Sequence, residues 1–236
     1  MRRWIWVTIA LVIVVSAGVS ANVVYRRHQA ATSLTSTSTA ACNAANAEAR
    51  QMTGPFTFGS ERVDVLGDSY SVGTTLSDPQ DEAWDILLAR REHWNLTVRG
   101  IGRTGFVNGG YCGNQSFPLR VRQVVADHPQ MVIVEGGLND AGQSGIGAAA
   151  RAVLAKIPAT IRVVVIGPTD APGRSGADKK TIDRELAAAA GTRYVSPLRW
   201  RLQFGPDGIH MTAAGNRVLA DQLSTAFAAL PSAAGG

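Results

Sequence analysis

At 236 residues, 45% hydrophobic and carrying 25 glycines, the chain has material for one substantial core plus an appendage, and its make-up is globular, not disordered. The formal charge of +5 suggests a polyanionic partner, but Arg2, Arg3, Arg26 and Arg27 supply all but one of the excess positive charges and flank a single apolar segment. No basic stretch interleaved with aromatics follows, which argues against nucleic-acid binding.

From Trp4 to Tyr25 no residue is charged. As a helix this segment would span about 33 Å, enough to cross a bilayer, with Trp4, Trp6 and Tyr25 at its ends as interfacial aromatics. It reads as a membrane anchor in preference to a cleaved signal peptide ending at Val19-Ser20-Ala21, and either reading exports the rest of the chain. Residues 28–59 are rich in Ala, Thr and Ser without helical or alternating period, so they read as a spacer, with a short helix expected over Ala40–Met52. Cys42 and Cys112 suit an oxidising compartment, where their pairing would close a long loop and stabilise by about 4 kcal/mol in the chain-entropy model; two unrelated buried thiols are the alternative. Residues 60–230 form the expected domain, and 231–236 a disordered tail. Oligomeric state leaves no signal in the sequence.

Within the domain, short apolar runs alternate with helical patterns. Strands are expected at Arg62–Leu66, Leu96–Arg99, Met131–Glu135, Arg162–Ile166 and Arg193–Val195. Helices are expected at Asp81–His93, Leu119–Asp127, Gly147–Lys156, Lys179–Ala189 and, with Thr212 as N-cap, Ala213–Ala229. This alternation predicts a three-layer α/β/α sandwich around a five-stranded parallel sheet. In such sheets the functional loops leave the carboxyl ends of the strands. Those loops are Gly67-Asp68-Ser69, Gly100-Ile101-Gly102-Arg103-Thr104-Gly105, Gly136-Gly137-Leu138-Asn139-Asp140 and, after the last strand, Asp207-Gly208-Ile209-His210.

Acyl-transfer chemistry gives these residues roles. A serine nucleophile needs a base, and the base needs a partner that holds its tautomer. Ser69 is the candidate nucleophile, His210 the base, and Asp207, three residues earlier across a glycine, the carboxylate facing the imidazole. A developing oxyanion needs donors aimed at it in advance: a glycine N–H of the second loop, the Asn139 side-chain amide and the Ser69 N–H are available. Asp68 reads as a turn-stabilising residue and Asp140 as one that holds its own loop.

Taken in order, the four blocks resemble those of the SGNH, or GDSL, hydrolases, and the resemblance runs from about Arg62 to Ala229. It implies a flavodoxin-like strand order; no cofactor is expected. It also implies a Ser69–His210–Asp207 triad and an oxyanion hole made by Ser69, Gly102 and Asn139. Two departures stand out. Tyr70 occupies a place where leucine is common, and the glycine-rich second block leaves Gly100 or Gly105 as alternatives to Gly102.

Rival motifs fail on context. Gly100-x-Gly102-x-x-Gly105 matches a dinucleotide fingerprint, but no helix start follows it. The elbow G-x-S-x-G fails at Ser71. No Cys/His/Asp cluster has metal-ligand spacing, so no metal is expected. The expected function is an exported serine esterase acting on a short acyl ester of a glycan, lipid or small molecule, with acetyl the leading acyl group. An O-acyltransferase passing the acyl group to a sugar hydroxyl is the alternative, and a glycan-binding module without catalysis the second alternative.

Overall fold

The computed structural model describes residues 38–230. The expected anchor, the first part of the spacer and the C-terminal tail lie outside those residues. Residues 38–51 are helical (α1), followed by β1 (Phe56–Thr57), β2 (Glu61–Gly67), α2 (Pro79–Glu82), α3 (Trp84–Glu92), β3 (Trp94–Gly100) and α4 (Phe117–Ala126). The chain continues through β4 (Met131–Glu135), α5 (Ile146–Leu154), β5 (Arg162–Ile166), α6 (Gly176–Ala190), β6 (Tyr194–Val195) and α7 (Ala213–Ala229).

The strands form one sheet in the order β1-β3-β2-β4-β5-β6. All neighbours run parallel except β1, which pairs antiparallel with β3 in the register Phe56↔Leu96. The sheet therefore has six strands where five were expected. The extra edge strand is two residues long, too short to show alternation, and Phe56 and Phe58 anchor it against the core. It lies, like α1, in the span read as spacer. Within α1, Ala45 and the following Met52 are buried, a pairing that the surrounding Ala, Thr and Ser obscure.

Strand alternation sorts the core into two layers. Val63 and Val65 of β2, Met131 and Ile133 of β4, and Val164 and Ile166 of β5 face one cluster with Trp84, Leu88, Leu219 and Phe227 of α3 and α7. Leu66, Val132, Val134, Val163 and Val165 face the other, filled by α4, α5 and α6 through Phe117, Val121, Ile146, Val153, Ile182 and Leu186. Burial on both faces is why the central strands read as continuous apolar runs.

The helix expected over Asp81–His93 is two helices, α2 and α3, with Ala83 between them in an extended conformation (φ −68°, ψ 143°). The Trp84 N–H that opens α3 donates to Asn216 Oδ1 of α7 at 3.1 Å, a cap supplied from 132 positions away that no local pattern reveals. Thr212 caps α7 as expected, accepting from the Gly215 N–H at 3.1 Å. Because β2 is flanked by β3 on one side and β4 on the other, the chain reverses its winding there. The loops that follow β2 and β4 open at that switch point. Among the described residues no helix is long and apolar enough to cross a membrane.

Candidate active site

The turn after β2 is shaped by close packing. A Cβ on Gly67 would lie 2.0 Å from Ser71 Oγ, so only glycine lets the chain fold back here. Asp68 is buried and holds the turn: its Oδ1 accepts the Tyr70 N–H at 2.9 Å and its Oδ2 accepts from Asn139 Nδ2 at 2.9 Å. Burial pushes its carboxyl up to about 6, against the pull of the Tyr70 N–H and of the charge on His210. Ser71 Oγ donates to Glu135 Oε2 at 3.0 Å. Burial, with the Asp68 charge adding to it, pushes the Glu135 carboxyl well above the carboxylate range. Ser69 itself stays half-buried at the apex.

The loop after β3 is held by Arg120, which lies on the apolar stripe of α4 between Phe117 and Val121 and Val124. Its guanidinium donates to the carbonyls of Gly67 (3.0 Å), Arg99 (2.8 Å) and Gln115 (2.8 Å) and to Thr104 Oγ1 (2.8 Å). The carboxyl ends of β2 and β3 are thus tied by one buried side chain, whose own pKa burial lowers to about 10.

Among the three glycines considered, Gly105 is committed. Its N–H donates to the Asn108 carbonyl at 2.9 Å, and a Cβ there would meet Asp140 Oδ2 at 2.5 Å. Gly100 ends β3, and a Cβ there would meet Val72 at 2.7 Å. Gly102 is buried with Ala45 and Glu48 of α1 beside it; Glu48 Oε2 would stand 3.6 Å from its Cβ and accepts from Thr74 Oγ1 at 2.8 Å. Among the described residues neither the Ser69 nor the Gly102 N–H has a protein acceptor.

After β4 the chain passes through Gly136 (φ 155°) and Gly137 (φ 121°) into a 3₁₀ turn, Leu138–Asp140. Phe117 and Ile182 would lie within 2.9 Å of a Cβ at these two positions. Asp140 holds the neighbouring loop, accepting from the N–H groups of Phe106 (2.8 Å), Val107 (2.9 Å) and Asn108 (2.7 Å). Asn139 reaches the site edge with both amide hydrogens in use: Nδ2 donates to Asp68 Oδ2 at 2.9 Å and to the Thr104 carbonyl at 3.0 Å. It is therefore tied into the floor of the site, and donating to an oxyanion requires it to release one of these acceptors.

The segment after β6 carries His210, the base expected from the sequence. Asp207 Oδ1 accepts the N–H groups of Ile209 (2.9 Å) and His210 (3.0 Å), and Oδ2 meets His210 Nδ1 at 2.6 Å. Gly208 (φ 66°) makes the turn between them, and its carbonyl accepts the Gly173 N–H at 2.7 Å. What little burial Asp207 has disfavours its charge. The Ile209 N–H, the imidazole and the His210 N–H outweigh that and hold its carboxyl below the usual range. His210 and Ser69 line one shallow, tightly closed recess with Tyr70, Gly73, Thr74, Met211 and Asn216. The structure forms no direct Ser69–His210 hydrogen bond; such contacts commonly tighten only with substrate present.

The sequence reading missed Arg120, Glu135, Glu48, Thr74 and Met211. A charged residue on the apolar stripe of α4 and another closing the buried run Met131–Glu135 were the available signals. Glu48 left none. Cys42 and Cys112 are both disulfide-bonded. Among the described residues no cluster of three His, Cys, Asp or Glu could hold a metal ion.

The sequence pattern of the GDSL-like lipase/acylhydrolase family matches residues 65–218. No curated protein sequence matches the chain. Several solved structures share its fold. Est24, a carbohydrate acetylesterase from Sinorhizobium meliloti, is 18% identical with a TM-score of 0.61 over 72% of this chain and 99% of that one. The M. smegmatis aryl esterase is 18% identical with a TM-score of 0.59 over 73% and 100%. A family two carbohydrate esterase from Clostridium thermocellum, solved with cellohexaose, is 14% identical with a TM-score of 0.56 over 73% and 64%.

Proposed function

The chain belongs to the family of GDSL-like lipases and acylhydrolases and is a carboxylic ester hydrolase, and from that premise we propose that Ser69, His210 and Asp207 hydrolyse a short acyl ester through an acyl-enzyme. The observation that carries this reading is the 2.6 Å Asp207–His210 pair opening onto the same recess as Ser69. With Nδ1–H given to Asp207, the basic lone pair of His210 is on Nε2. It takes the Ser69 proton as Oγ bonds to the ester carbonyl carbon. The resulting oxyanion is met by the Ser69 and Gly102 N–H groups, with Asn139 joining by exchanging one of its present acceptors. Collapse expels the alcohol, which leaves with the proton held on Nε2. A water then attacks the acyl-serine by the same route and frees the acid and the enzyme.

Among the described residues, the tight recess walled by Tyr70, Thr74 and Met211 leaves no deep channel beside Ser69 for a long chain, which favours an acetyl or similarly short acyl group. A carbohydrate ester is the leaving side we favour, in keeping with the carbohydrate acetylesterase of similar fold. The apolar Trp4–Tyr25 segment and the disulfide-bonded cysteines favour an exported, tethered enzyme. The test is a series of chromogenic esters of rising acyl length, with an acetylated sugar alongside. We expect kcat/KM to be highest for acetyl and to fall with each added pair of carbons. A maximum at long chains would overturn the short-acyl assignment.

A further inference from the structure

We propose that Tyr70 is a positioning residue: its hydroxyl locks the loop that carries His210 to the turn that carries Ser69. The inference rests on the reading of Ser69 and His210 as nucleophile and base. Tyr70 follows Ser69 directly, and only 5% of it is exposed. Its Oη donates to the Ile209 carbonyl at 2.5 Å and lies 3.0 Å from Thr169 Oγ1, in the loop after β5. A phenol has one hydrogen, so with that hydrogen on Ile209 the Thr169 hydroxyl donates to the Tyr70 oxygen. Three loops meet on this one atom.

The Ile209 carbonyl belongs to the same peptide unit as the His210 N–H, and that N–H donates to Asp207 Oδ1 at 3.0 Å. The peptide plane leading into the base is therefore held at both ends, by Asp207 on its N–H and by Tyr70 on its C=O. The Tyr70 ring also stands against the imidazole, with centroids 6.2 Å apart and planes tilted by 60°. Asp207 alone fixes the imidazole relative to its own loop. Tyr70 fixes that loop relative to the serine, across 139 positions of sequence. A leucine here could fill the space but could not make the bond. Burial drives the phenol above its ordinary range, so it remains a donor throughout the working pH of an esterase.

The test uses the full chain with Tyr70→Phe, which keeps the ring, and Thr169→Val, which removes only the second partner of the hydroxyl. We expect Tyr70→Phe to lower kcat about tenfold to a hundredfold, the cost of a small misplacement of a catalytic group, with KM within about twofold of the parent. Thr169→Val should move kcat the same way by less. The downfield His210 Nδ1 proton resonance should be sharp in the parent and broaden in Tyr70→Phe. A side chain that merely filled the core would lower the melting temperature and leave kcat unchanged well below it. That result in Tyr70→Phe overturns the inference, and if this variant does not fold, parental kcat in Thr169→Val does so instead. Ser69→Ala separates the two readings. Full activity there overturns the proposed nucleophile, whereas an inactive Ser69→Ala beside a fully active Tyr70→Phe overturns only the positioning role.

Discussion

Two polar regions meet at the carboxyl edge of the sheet, and they are built in opposite ways. The Asp207–His210 loop is local, with partners three residues apart, and the Asp207 side chain is 41% exposed. The floor beneath Ser69 joins Asp68, Arg120, Glu135, Asn139 and Asp140 from two strand ends and one helix, and most of it is buried. An exposed, self-contained pair can take part in chemistry and change charge at little cost to the fold. A buried network of polar and ionisable groups cannot, because each member left unpaired meets a low-dielectric interior. The first region should therefore govern rate and the second stability.

The largest effect tests the rate side. Asp207→Asn keeps an oxygen for the Ile209 and His210 N–H groups but favours the wrong imidazole tautomer. It should cut kcat about 10⁴-fold while shifting unfolding free energy by no more than about 1 kcal/mol, read from ester hydrolysis and urea denaturation. A variant that lost both together would dissolve the distinction. Next comes Arg120→Leu, which leaves four acceptors without their buried donor and the Asp68 carboxyl without one of its neighbouring positive charges. We expect a loss of about 3–5 kcal/mol in the same denaturation measurement. A change below about 1 kcal/mol would mean that the guanidinium is not what ties β2 to β3.

The smallest effect concerns a carboxyl with no role in the chemistry. Asp85 on α3 is buried with Oδ2 unpaired, and burial raises its pKa from 3.8 to about 8 against the opposing Ile86 N–H. Below about pH 4 it is protonated folded or unfolded and adds no pH dependence. Between about pH 4 and 8 the unfolded chain releases the proton and the folded chain keeps it, so stability falls as pH rises and levels off above 8. Asp64, raised to about 7 by burial, acts in the same direction. Asp85→Asn should melt near the parent at pH 4 and above it at pH 8. Parallel melting curves across that range would contradict the assignment.

The same contrast explains what could be read from the sequence. Asp207-x-x-His210, the Thr212 cap and the runs Met131–Glu135 and Arg162–Ile166 were legible because residues within a few positions of one another make them. The sheet's five parallel strands followed from alternation. β1 escaped because two residues carry no period. Ala83 escaped because Asn216, far along the chain, caps the next helix. The commitment of Asn139 to Asp68 and Thr104 was hidden for the same reason, since it depends on three loops arriving together. Arg120 was visible as a charge on an apolar stripe, but its acceptors were not.

The central claim is that Ser69 carries the acyl group between the two halves of the reaction. Rapid quenching of the enzyme in acid during turnover of an acetyl ester, followed by peptide mass spectrometry, addresses it directly. The account predicts one acetyl group on the peptide containing Ser69, absent in Ser69→Ala and accumulating when His210→Ala is given an activated ester. An acetyl adduct that persists in Ser69→Ala, or that maps to another residue, would contradict it.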